Sequence, residues 1–261
     1  MLAAALLMLP YEARQCVRRH IPMKLTPAQW GLTALAAAFL AAHYITWITS
    51  LTGTSTFASV ALVCTQPLFV AFFSYVLFRE RTPRRALPGA LLALLGAVTI
   101  ALSGLSGQEA QATGQEALRS NLLALAGAVL MAAHWLAGRQ IRQTLAAEVY
   151  TPVLYLITAA LLALCLPLSG GFRMPLSALP YMAGLVIGST LLGHAVFAYA
   201  LSGVSANVIS FALLGEPVGA MIFSMIFFGE VPTWPVALGG LLTLMGLALY
   251  LAFAGGEKQP A

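Results

Sequence analysis

One carboxyl sits where a bilayer makes charge expensive. Glu216 falls near the middle of an apolar run over 206–228, and an ionised group at that depth has to face protein or a water-filled cavity. Its chemistry there is either that of a carboxyl that accepts and releases a proton, or pairs with a substrate cation, during a transport cycle, or that of a permanently protonated group hydrogen-bonded to a neighbouring helix. The residue 150 positions earlier is the neutral Gln66, so the two places differ in charge. Pro67 and Pro217 follow Gln66 and Glu216 directly. Each proline removes an amide donor and frees a carbonyl four residues back, at Val63 and Leu213, which either lines a site or simply kinks the helix. His43 shares a helical face with Trp47 and Ser50, while Phe197 and Tyr199 follow His194 by about one turn. Such groups could line a cavity for an amphipathic solute, or could equally be a histidine bonded between helices with its aromatics in the packing. Glu80 and Glu230 close their runs just before Thr82-Pro83 and Thr233-Trp234-Pro235. A carboxylate in that place suits a helix N-terminus, as a structural cap or as a gate.

The elements that position these residues are membrane helices. The chain has 261 residues, of which 60% are hydrophobic and 8% charged. That composition excludes a water-soluble globular domain. Apolar runs long enough to cross the bilayer fall at 31–51, 57–78, 87–106, 121–138, 150–169, 179–201, 206–228 and 234–254, with a half-length piece over Met1 to Leu9. None alternates polar and apolar, so helices are required rather than a barrel. Cys16, Cys64 and Cys165 have no pair spacing and predict neither disulfide nor metal, and no cofactor is expected.

Two stretches repeat each other. Pro67 to Ile100 aligns without a gap on Pro217 to Tyr250, through Phe73/Phe223, Ser74/Ser224, Phe78/Phe228, Glu80/Glu230, Gly89/Gly239 and Gly96/Gly246. Eleven of the 13 cations collect on one side if the helices alternate, leaving Arg119 and Arg173 on the other. The rich side is then cytoplasmic, and the C-terminus with it. Five spans separate Glu80 from Glu230, so the repeat is inverted, the arrangement that lets two halves rock about a central site. Projecting the second unit back by 150 residues leaves no room for the first helix of the first unit. The expectation is a chain lacking that helix and part of the next, through truncation or start-site choice, or a fold that works with an incomplete first unit. Met1 to Leu9 lacks the basic n-region and cleavage site of a signal peptide.

The pair of Thr65-Gln66-Pro67 to Phe78-Arg79-Glu80-Arg81 and Gly215-Glu216-Pro217 to Phe228-Gly229-Glu230, with the glycine-rich helices that follow, resembles the drug/metabolite transporter superfamily. Specifically it resembles the EamA-type branch, over nearly the whole chain from about residue 30. The resemblance implies an all-α polytopic membrane protein built as an inverted repeat of two five-helix bundles, a ten-helix scheme. It places a first repeat at 1–106, an extracytoplasmic link at 107–120, a second repeat at 121–254 and a cytoplasmic tail at 255–261. It implies an exporter of small metabolites such as amino acids, working by alternating access. Candidates for substrate binding or coupling are Glu216, Gln66, Pro67, Pro217, His43, Trp47, His194 and Tyr199, with Glu80 and Glu230 as structural or gate residues. Partners would be the solute, the lipid bilayer and protons, in a bacterial inner membrane. A proton-coupled multidrug antiporter is the alternative. A structural membrane subunit also stays open, and an intramembrane enzyme has less behind it, because Ser189 and His194 diverge around their helix. No P-loop or HExxH pattern occurs, and nothing suggests nucleic acid.

Overall fold

A computed structural model describes residues 1–79, 83–103, 114–169, 175–184, 186–188 and 215–254. Regular structure among these residues is helical. The α-helices in chain order are α1 (Leu2–Arg18), α2 (Pro27–Ser50), α3 (Thr56–Val63), α4 (Gln66–Phe78), α5 (Leu87–Ser103), α6 (Gln115–Arg142), α7 (Ala147–Cys165), α8 (Leu179–Gly184), α9 (Gly215–Phe228) and α10 (Trp234–Ala254). Six stretches among them are long and apolar enough to cross a membrane: Pro27–Ser50, Thr56–Phe78, Arg84–Ser103, Gln115–Arg142, Ala147–Cys165 and Trp234–Phe253. The expected run at 179–201 falls largely outside the described residues, as does the first part of the run at 206–228, whose remainder is α9. Helix α6 overshoots its apolar run at both ends, with Glu116 in its first turn and Arg139 and Arg142 in its last. Those charges complement the helix dipole and carry the helix into the polar layers.

The half-length piece at the N-terminus is longer than its apolar residues suggest. Helix α1 continues through Pro10 to Arg18, because its second half is amphipathic: Glu12 and Cys16 are buried while Arg14 and Arg18 are exposed. It packs along α7, and Arg19 closes the pair by donating to Glu148 Oε1 at 2.8 Å. Both helices belong to a compact unit formed by residues 1–41 and 133–203. In that unit Thr26 and Gln29 form a reciprocal capping box at the start of α2. The Thr26 amide donates to Gln29 Oε1 at 2.9 Å and the Gln29 amide to Thr26 Oγ1 at 3.3 Å. The Gln29 side-chain amide then donates to the Thr144 carbonyl at 3.1 Å, tying this end to the turn before α7. His134 of α6 bonds through Nδ1 to the Ala36 carbonyl at 2.9 Å.

The second unit comprises residues 42–132 and 204–261. Its seam joins α5 to α10 through glycines. A Cβ on Gly239 would lie 2.8 Å from the Gly96 carbonyl oxygen and 3.1 Å from the Ile100 nitrogen; one on Gly246 would lie 2.7 Å from the Gly89 oxygen and press on the Ala93 backbone. Only residues without a side chain allow backbones this close. The contacts also mirror one another. Gly89 meets Tyr250 as Gly239 meets Ile100, and Gly96 meets Thr243 as Gly246 meets Ala93. Exchanging each residue for its partner 150 positions away maps the set onto itself, and later residues of one helix meet earlier residues of the other. Such a pattern requires antiparallel helices about a local two-fold axis, so the repeat is inverted in space as well as in sequence.

Helix α3 packs against α9, and a core of Phe57, Ala58, Ala61, Leu62, Ala97, Ile100, Ala124 and Val236 fills the unit. Helices α4 and α9 both end on a left-handed residue, Arg79 with φ 60° and Gly229 with φ 66°, again 150 positions apart.

Candidate functional site

The polar groups of the second unit gather along α2, α3 and α6. Ser50, at the end of α2, shares a 2.6 Å hydrogen bond with Ser59 of α3 and donates to the Trp47 carbonyl at 2.6 Å. This bond registers the two helices. Trp47 and His43 lie three and seven residues back along α2, and Val63 and Gln66 four and seven residues on along α3 and α4. At helical spacing Trp47 and His43 share the face of α2 that carries Ser50, and Val63 the face of α3 that carries Ser59, while Gln66 lies just past the end of α3.

His43 is 2% exposed and stacks on Trp47 with ring centroids 5.6 Å apart and planes 21° apart. Its Nδ1 lies 2.9 Å from the Gly127 carbonyl of α6. A carbonyl oxygen can only accept, so Nδ1 carries the proton and Nε2 is left as an acceptor in the neutral ring. Two polar atoms, one on α2 and one at the start of α4, are buried with no hydrogen-bond partner: Trp47 Nε1, a donor, and Gln66 Oε1, an acceptor. Buried polar groups in native structures are nearly always satisfied, so an orphaned donor and an orphaned acceptor each mark a place for a ligand or an ordered water. Among the described residues no group of three or more His, Cys, Asp or Glu could hold a metal.

Beside Gln66 the membrane span is interrupted rather than bent. Helix α3 stops at Val63, Cys64 and Thr65 form a turn, and Pro67 lies in the first turn of α4. Thr65 Oγ1 donates to the Leu62 carbonyl at 2.6 Å, taking up one of the acceptors left at the break. Proline costs nothing in a first turn, where its missing N–H has no partner to lose. Pro217 holds the matching place, the third residue of α9. For Glu216 and Pro217 the backbone alone is described, and His194, Tyr199 and Glu80 lie outside the described residues.

Glu230 reaches a helix other than the one it precedes. Its Oε2 accepts from the Thr56 amide at 2.9 Å and its Oε1 from the Thr56 hydroxyl at 3.3 Å. Thr56 opens α3, whose N-cap Ser55 accepts from the Ala58 amide at 3.3 Å. A carboxylate is thus placed on the positive end of a helix dipole 174 residues away in sequence.

Asn121 drew no attention as a sequence residue. It is fully buried, accepts from Thr54 Oγ1 at 2.6 Å and donates to the Ile100 carbonyl at 3.1 Å, fastening the turn after α2 to α5 and α6. The signal available was an amide at the very start of an apolar run.

The EamA-like transporter family matches residues 1–102 and again 118–252. The chain belongs to that family. It is therefore a membrane transporter of the drug/metabolite type, and its two matched regions carry the two repeats. A solved crystal structure, described only as that of a protein, superposes on this transporter with a TM-score of 0.62 at 19% identity. The match covers 97% of this chain and 87% of the other, a likeness of fold. No curated protein matches the transporter.

Proposed function

We propose that this transporter exports small amphipathic metabolites such as amino acids and related amines, by alternating access, and that the seam of His43, Trp47 and Gln66 contacts the solute. The observation that carries the reading is the pair of buried, partnerless polar atoms, Trp47 Nε1 and Gln66 Oε1. A solute with a protonated amine and a carboxylate answers that pattern. The ammonium would donate to Gln66 Oε1 and His43 Nε2, the carboxylate would accept from Trp47 Nε1, and an apolar side chain would lie on the stacked rings. The helix interruption beside Pro67, with Pro217 at the equivalent position of the second repeat, supports a site between inverted repeats. Glu216 would supply the proton-coupling carboxyl in the same cycle, as its depth in the span suggests.

The test is uptake into proteoliposomes over a panel of amino acids and lipophilic cations. Trp47→Phe and Gln66→Leu should each raise the apparent KM for the transported solute up to about tenfold, the worth of one hydrogen bond at its upper range. Both variants must still elute as folded protein. Folded variants with unchanged KM would remove the seam from the site. Glu216→Gln should abolish solute-dependent proton flux. Proton-coupled transport restricted to lipophilic cations would favour the multidrug antiporter instead.

A further inference from the structure

A cavity of about 920 Å³ opens between α4 and α5, floored by Leu125 and Val129 of α6. Its walls are two helical stripes, Thr65, Phe69 and Phe72 toward Tyr75 on α4, and Leu94 and Leu91 toward Arg84 ahead of α5. It exists because α5 is drawn onto α10 by the glycine seam and α3 onto α9, while the break at Cys64 and Thr65 sets α4 on its own course. Phe72, Tyr75, Leu91 and Leu94 are each at least half exposed, which in a membrane means exposed to lipid.

The cavity is graded from end to end. Its closed end is apolar save for Thr65, whose hydroxyl is already bonded to Leu62. Its other end is lined by Arg84 and Tyr75, and Arg85 follows Arg84 in the same exposed turn. Thr65 to Tyr75 spans roughly 15 Å along α4, and Arg84 to Ala97 roughly 20 Å along α5. Half of a hydrocarbon core roughly 30 Å thick is about 15 Å, the depth of one leaflet. A cation at the interface above an apolar slot one leaflet deep has the layout of a diacyl lipid with an anionic headgroup.

We propose that this cavity is a binding site for one anionic phospholipid, its phosphate on Arg84 and an acyl chain along α4 and α5 as far as Thr65. The lipid closes the gap between the helices and replaces the side-chain packing that α4 and α5 lack against each other.

The test is native mass spectrometry of the full chain released from mixed micelles holding equal amounts of dioleoyl phosphatidylglycerol and dioleoyl phosphatidylcholine. Wild type should retain phosphatidylglycerol preferentially. Arg84→Gln should reduce that preference about fivefold, which is what one interfacial cation contributes. Leu94→Trp, which fills the slot midway, should lower retention of both lipids while circular dichroism shows an unchanged helix content. Equal retention of the two lipids by wild type, or a preference surviving both substitutions, would overturn the site. A dimer that Leu94→Trp disperses would overturn it as well, by assigning the groove to a second copy of the chain.

Discussion

Glu12 shows how the second half of α1 uses charge outside the spans. Burial, and then the negative charge of Glu148, push its carboxyl above the ordinary glutamate range, with Arg19 pulling in the opposite direction. The folded protein therefore holds the Glu12 proton at pH values where the unfolded chain has released it. The stability this contributes is present at acid pH and is lost as pH rises through the raised pKa. Glu12→Gln should consequently raise the melting temperature at neutral and alkaline pH, and the gain should shrink toward about pH 4, where free glutamate is itself largely protonated. A thermal melt in detergent at the two pH values checks it. Glu230 accepts the Thr56 amide and hydroxyl at the start of α3. Glu230→Gln leaves weaker neutral hydrogen bonds at the start of α3. The expected outcome is a lower folded yield with the order of substrate preference unchanged, measured by size exclusion and by transport of the solute panel. Altered preference at full yield would point to a gate.

At the scale of elements, the α5–α10 seam is the packing most sensitive to volume. Alanine normally stabilises a helix over glycine by up to about 1 kcal/mol. Here the added Cβ meets backbone, which cannot swing aside as a flexible side chain would. Gly246→Ala should therefore destabilise, by roughly 1–3 kcal/mol in the range of overpacked cores, read as a lowered melting temperature. Gly31, around which a Cβ meets nothing within 4 Å, serves as the control, and Gly31→Ala should be neutral or stabilising. The end of α4 offers the opposite change. Arg79 holds a left-handed conformation that its repeat mate assigns to glycine, and such a conformation costs an ordinary L-residue roughly 1–2 kcal/mol. Arg79→Gly should raise the melting temperature, with part of the relief offset by the freer unfolded chain.

For the whole molecule the inverted repeat predicts sidedness. Cysteines introduced at Arg85 and Val231, which follow equivalent helices, should react with an impermeant maleimide from opposite faces of the membrane when the native cysteines are replaced; labelling from one face would contradict the inversion. Spacing and composition alone carried the polytopic helical class, the 150-residue repeat and its inversion, because lipid forces long apolar helices and duplication leaves matched glycines, prolines and glutamates at fixed separation. They also singled out His43, Trp47 and Gln66, since a polar group in an apolar span stands out. What those residues touch was decided in three dimensions. The Ser50–Ser59 register, the Gly127 carbonyl that fixes the His43 tautomer, and the helix that Glu230 caps all join segments far apart in the chain, and no local pattern encodes such partners. The break at Cys64 and Thr65 belongs to the same class. A proline in an apolar run marks only that one hydrogen bond is missing, and the packing of α3 on α9 and of α5 on α10 decides that the chain turns there and leaves a slot beside α4.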